Sequence, residues 1–129
     1  MKHFNKVIVE LNGQAEEFCL ATNNGWGKVV GHAVRIDNYH FSVVALQDFF
    51  RISELDSGAK MIDIKVPTSI QSYDEVMNFI SLVIVPKVVS LIHEVNKKEP
   101  GRFEREVERL VKHALETCGV KPPTKKVML

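Results

Sequence analysis

Lys60-Met61-Ile62-Asp63-Ile64-Lys65-Val66-Pro67, followed shortly by Ser72-Tyr73-Asp74-Glu75-Val76, is where the chain changes its periodicity. In the first stretch Ile62, Ile64 and Val66 alternate with Met61, Asp63 and Lys65, the pattern of a strand that is wet on one face. In the second, Ser72 and Glu75 have the spacing of a capping box, and apolar residues then recur at intervals of three and four. One switch from strand to helix period within 129 residues predicts a single α+β domain, with residues 1–67 forming the sheet and 68–129 the helices and a short tail.

Working back from Lys60, turn chemistry punctuates the chain at intervals of about eight to twelve residues, the spacing of an antiparallel meander. The segments Val7 to Leu11, Glu16 to Ala21, Lys28 to Ile36, Tyr39 to Leu46, Phe49 to Leu55 and Lys60 to Val66 predict five or six strands. Asn12-Gly13 favours a type I′ hairpin between the first two, because both positions tolerate positive φ. The first and fourth segments carry apolar residues on both faces, so a second layer or a second subunit is expected to cover part of the outer face.

Working forward, Val76, Ile80, Val83, Ile84, Val88, Leu91, Ile92 and Val95 form a broad stripe, and Phe79, Leu82, Val85 and Val89 fill much of the other side. Such a helix is expected to have two buried faces and therefore to belong to a homo-oligomer, at least a dimer. Pro86 either kinks it or splits it in two. Glu99-Pro100-Gly101 then breaks the chain, with Pro100 a candidate for the first turn of the next helix. Phe103, Val107, Leu110, Val111, Ala114, Leu115 and Cys118 predict that helix, Gly119 its left-handed stop, and Pro122-Pro123 the end of regular structure.

Composition narrows the function classes. A chain that is 45% hydrophobic and 26% charged, with a net charge of +1, is neither disordered nor broadly polycationic, so binding to DNA or to an anionic membrane requires a local patch. Cys19 and Cys118 have no thiol or histidine at metal-ligand spacing and read as buried, reduced thiols. No secretory signal is visible from Met1 to Lys6, which sets the expected location as cytoplasmic. Phe79 to Ile92, the most apolar segment, is interrupted by Ser81, Pro86, Lys87 and Ser90 and reads as too short to span a membrane.

Catalytic and cofactor motifs are lacking, so the expectation is a protein that is not an enzyme and uses no cofactor. The histidines at positions 3, 32, 40, 93 and 113 have no metal-ligand spacing, and no metal site is expected. Gly25-Trp26-Gly27-Lys28-Val29-Val30-Gly31 enters a strand, which removes the helix N-terminus that a phosphate loop needs. Trp26 remains a candidate for stacking on a base or ring. The most informative polar segment is Arg102 to Lys112, where Arg102, Arg105, Arg109 and Lys112 share one side of a helix with Glu106 and Glu108 alongside. Its plainer reading is a solvated ladder pairing Arg102 with Glu106, Arg105 with Glu108, and Glu108 with Lys112. The functional reading uses the guanidinium forks to hold a phosphate or carboxylate, with Phe79 and Asn96 from the preceding helix as lining groups.

The order of a β-meander, then Phe79-Ile80-Ser81-Leu82-Val83-Ile84-Val85, then Glu99-Pro100-Gly101-Arg102-Phe103-Glu104-Arg105-Glu106-Val107-Glu108-Arg109, resembles the phage anti-Thoeris sponge proteins that sequester cyclic ADP-ribose signals. That resemblance implies a non-enzymatic, cytoplasmic oligomer that holds a small nucleotide-like ligand with aromatic and Arg side chains, for which Phe79 and Arg109 are the positions of suitable type. Two other classes stay open: a nucleic-acid-binding module using Trp26, the basic stripe, Lys121, Lys125 and Lys126, and a protein-interaction inhibitor or structural subunit.

Overall fold

The computed structural model describes residues 7–124; the Met1 to Lys6 stretch and the Lys125 to Leu129 end, with Lys125 and Lys126, lie outside the described residues. The fold is α+β: β1 (Val9–Leu11), β2 (Glu16–Thr22), β3 (Gly25–Ile36), β4 (Tyr39–Leu46), β5 (Phe49–Glu54) and β6 (Lys60–Lys65) precede the helices. These are α1 (Tyr73–Phe79), a π-helical turn (Ile80–Ile84), α2 (Val85–Lys98) and α3 (Arg102–Cys118). Strands β3 to β6 form the expected antiparallel meander, in the order β1-β3-β4-β5-β6 with β2 also on β3.

The expected hairpin at Asn12-Gly13 is not formed. β1 pairs with the end of β3, from Val9↔Ile36 to Leu11↔Val34, and β2 pairs with its beginning, from Glu16↔Gly31 to Thr22↔Gly25. Asn12 explains the difference. Its backbone N–H donates to the Ala33 carbonyl at 2.9 Å, and its side chain accepts from the Gln14 N–H at 3.0 Å and donates to the Glu16 carboxylate at 2.8 Å. The same turn-forming side chain thus makes a jog between two strands that share one long partner. Gly13 fits because the Tyr73 hydroxyl donates to its carbonyl at 2.7 Å, and a Cβ there would run into that hydroxyl.

The sheet curls strongly at two close approaches. A Cβ on Gly31 would strike the Val43 carbonyl and the Val44 side chain, so only glycine lets β3 pass this close to β4. At Gly58, with φ of 65°, the turn after β5 meets β2, whose Ala21 N–H donates to the Gly58 carbonyl at 2.9 Å. This curl accounts for the burial of Phe18, Cys19, Leu20 and Val44 outside the main core. The expected cover over the outer face of β4 is thus reached within one chain, since Ser42 and Val44 alternate with Phe41 and Val43 and all four are buried, whereas Val7, Ile8 and Val9 of the first segment are exposed in the single chain. Of the two thiols expected to be buried, Cys19 is, and Cys118 is only half-buried.

The main core lies between the sheet and the helices. Val34, Ile36, Phe41, Val43, Phe50, Ile52 and Ile64 meet Ile80, Ile84, Val85, Val88, Ile92 and Phe103. Ser72 caps α1 as its spacing predicts, its hydroxyl accepting from the Glu75 N–H at 3.2 Å. Pro86 neither splits the helix nor ends it: α1, the π turn and α2 run continuously over Tyr73–Lys98. The Val85 N–H donates to the Ile80 carbonyl, and this widened turn just before Pro86 accommodates the ring and the missing donor. Pro100 lies in the turn ahead of α3 instead of in its first turn. Gly119 ends α3 with φ 79° and ψ −162°, a backbone region essentially restricted to glycine but outside the expected left-handed helical well.

One expectation about the long helix is corrected. At 26 residues the run is long and apolar enough to cross a membrane by length and composition, so shortness does not exclude a membrane role. Within a single chain its sheet-facing side is the buried one, and Leu82 on the outer side is 75% exposed.

Candidate functional site

α3 starts at Gly101, whose φ of 77° and ψ of 5° turn the chain sharply out of the Glu99-Pro100 segment. The cap comes from the preceding helix: the Phe103 N–H donates to Asn96 Oδ1 at 2.9 Å. With Phe103 turned into the core, helical spacing leaves Arg102, Arg105, Glu106 and Arg109 around one shallow depression of about 200 Å³. A cleft of about 320 Å³ adjoins it between the two helices, lined by Glu94, Val95, Lys98, Arg102 and Glu106. Arg102 and Glu106 belong to both.

The ladder expected along α3 is replaced by different pairs. Arg105 reaches back to Glu99 at 2.7 Å and to the Pro100 carbonyl at 3.3 Å, while Arg109 pairs with Glu106 at 2.9 Å. The Arg102 backbone N–H donates to the Glu99 carbonyl at 3.0 Å, but its guanidinium makes no hydrogen bond or ion pair among the described residues. Two of these cations, Arg102 and Arg105, stand in or beside the first turn of α3, where the helix dipole favours anions. Glu99, Glu104 and Glu106 offset part of that charge. What the arrangement offers chemically is a set of planar donors, one of them unengaged and two of them at the positive end of a helix, the donor type that suits phosphate or carboxylate oxygens.

The other candidate residues lie elsewhere. Phe79 stacks on Phe50 with ring centroids 5.7 Å apart and is half-buried at the edge of the core. Trp26 is at the opposite end of α3, where its indole N–H donates to the Gly119 carbonyl at 3.1 Å. Asn96, besides capping α3, lines a separate groove of about 500 Å³ with Ile8, Arg35, Asp37, Asn38, Tyr39 and Ile92. Lys121, a candidate nucleic-acid contact, donates to the carbonyls of Leu55 at 3.1 Å and Asp56 at 3.4 Å. The glycine-bearing stretch around Trp26 lies on the β2–β3 hairpin, with no helix N-terminus behind it.

Sequence reasoning missed Lys98 and Glu94 as lining groups and Glu99 as the partner of Arg105. Lys98 carried a signal, since its charge at the end of α2 abuts the next helix; Glu99 carried none, because its reach depends on the Gly101 turn. Among the described residues, no three His, Cys, Asp or Glu side chains gather closely enough to hold a metal ion. Comparison with protein-family models, curated proteins and solved structures finds no match to this chain.

Proposed function

We propose that the chain is a non-enzymatic binding protein that sequesters a small anionic nucleotide of the cyclic ADP-ribose type at the Arg102–Arg105–Arg109 face of α3, in a phage counter-defence role. The observation that carries this reading is the unpartnered Arg102 guanidinium, beside Arg105 in the first turn of α3 and with Arg109 farther along the same depression. Concentrating cations there opposes the dipole, and a bound phosphate relieves the conflict while accepting charge-assisted hydrogen bonds. The adjoining cleft over Val95 gives the less polar part of such a ligand a place to lie.

Calorimetric titration of cyclic ADP-ribose isomers tests the proposal. Arg109→Ala and Arg102→Ala are each expected to weaken binding about ten- to a hundredfold, the loss of one charge-assisted bidentate contact. Lys28→Ala, on β3 and paired loosely with Glu17 at 3.9 Å, is expected to leave it unchanged. A weak dependence on salt fits one small ligand, whereas a steep one transfers the site to nucleic acid. Absence of heat with every nucleotide refutes the reading.

A further inference from the structure

We propose that the outward face of the Tyr73–Lys98 helix pairs, antiparallel and about a two-fold axis, with the same face of a second copy of the chain. The most apolar stretch of the protein is poorly covered: only 28% of its 18-residue apolar window is buried. Asn78, Leu82, Pro86 and Ser90 form an exposed row, and no charged residue occurs from Val76 through Pro86. An uncharged surface of this length on a helix is the kind that proteins cover.

The π turn aligns this surface. In a regular helix residues four apart drift about 40° per step, so three steps from Glu75 would rotate Lys87 toward the sheet. The wider turn at Ile80–Ile84 removes part of that drift. Glu75 and Lys87 consequently are both exposed, with Phe79 and Val83 half-buried between them. The row reads acid, apolar, apolar, base.

Such a row is its own complement only when reversed. Antiparallel pairing centred near Leu82 brings Glu75 of each copy within about a turn of the partner's Lys87, twice by symmetry, and sets Leu82 against the partner's Leu82 and Val83. Parallel pairing places like charges together. Ser81, Pro86 and Ser90 are compact enough to let the backbones approach.

Sedimentation equilibrium of the full chain from low to high micromolar concentration tests this, with circular dichroism confirming the fold of each variant. A dimer is expected for the wild type. Leu82→Glu, at a position 75% exposed and therefore harmless to the core, should weaken it about thirtyfold or more, as for a central contact in an interface. Lys87→Glu should also weaken it, and Glu75→Lys combined with Lys87→Glu should restore it, since the exchanged charges face each other again. A wild-type monomer throughout, or a Leu82→Glu dimer of unchanged affinity, overturns the proposal. So does a wild-type monomer that co-sediments with phosphatidylcholine–phosphatidylserine vesicles through Leu82, which would assign the face to a lipid surface.

Discussion

The two long helical segments perform the same structural duty and present opposite surfaces to solvent. Both turn apolar side chains to the sheet: Ile80, Ile84, Val88 and Ile92 from one, Phe103 and Ala114 from the other. Outward, the Tyr73–Lys98 helix is uncharged from Val76 through Pro86, whereas α3 carries Arg102, Glu104, Arg105, Glu106, Glu108, Arg109 and Lys112. Covering a sheet constrains only one side of a helix. The other side is free to specialise, here toward an apolar surface in one case and toward anions in the other.

The largest expected effect separates inner from outer faces. Phe103 is 1% exposed and packs edge-on against Tyr39 with ring centroids 4.8 Å apart and tilted against Phe41 at 6.2 Å. Phe103→Ala should cost about 3–5 kcal/mol, because no neighbour can refill a cavity of that size. Leu82→Ala should stay within about 0.5 kcal/mol in the monomer. Urea midpoints at low protein concentration measure both, and similar losses would break the comparison by showing the outer face to be packed.

A smaller effect sharpens the contrast between an arginine used for folding and those of α3. On β5, Arg51 donates from Nε and Nη2 to both carboxylate oxygens of Asp63 on β6, at 3.0 and 3.1 Å. These hydrogen bonds, aided by the charges of Arg51 and Lys60, hold the Asp63 carboxyl below its ordinary range against the opposing effect of burial. A folded-state value below the unfolded one means that the pair's contribution is complete above about pH 4, the unfolded aspartate range, and is lost as pH falls through the folded value. Because both side chains are about a third exposed, the contribution should be below about 1 kcal/mol. Urea midpoints taken from neutral to strongly acid solution should show a shallower acid limb in Asp63→Asn; an unchanged limb would mean that the pair is solvated out of any role.

What the sequence reveals follows the range of the interaction. β4 to β6, the Ser72 cap and the stop at Gly119 are legible because alternation, capping and positive φ act within a few residues. The jog at Asn12 is not, since an Asn-Gly pair serves a hairpin or an Asx turn equally well until twelve-residue β3 offers a partner to both flanking strands. The π turn depends likewise on how Ile80, Ile84, Val85 and Val88, on either side of Pro86, pack against the sheet. At the site, one helical repeat brings Arg102, Arg105 and Arg109 together, and spacing alone foretells it. Asn96, Phe79 and Trp26 are separated from them by tertiary choices: a cap, a ring stacked on Phe50, and a hydrogen bond to the far end of α3.

The smallest effect concerns the sign of a charge. Arg102 is the first residue of α3, makes no ion pair among the described residues, and places its cation where the helix dipole is already positive. Arg102→Glu should therefore raise stability by about 0.3–1 kcal/mol at low ionic strength, through a favourable first-turn charge. The gain should shrink as salt screens it. Arg109, two turns farther on and paired with Glu106, feels little of the dipole, so Arg109→Ala should move stability by less than about 0.5 kcal/mol. Thermal melts in low and high salt, run beside nucleotide titrations, distinguish the outcomes. A stabilised Arg102→Glu that no longer binds fits a residue retained for a ligand at a cost to the fold; a destabilised one makes Arg102 a structural residue, and a stabilised one that still binds moves the ligand away from the start of α3.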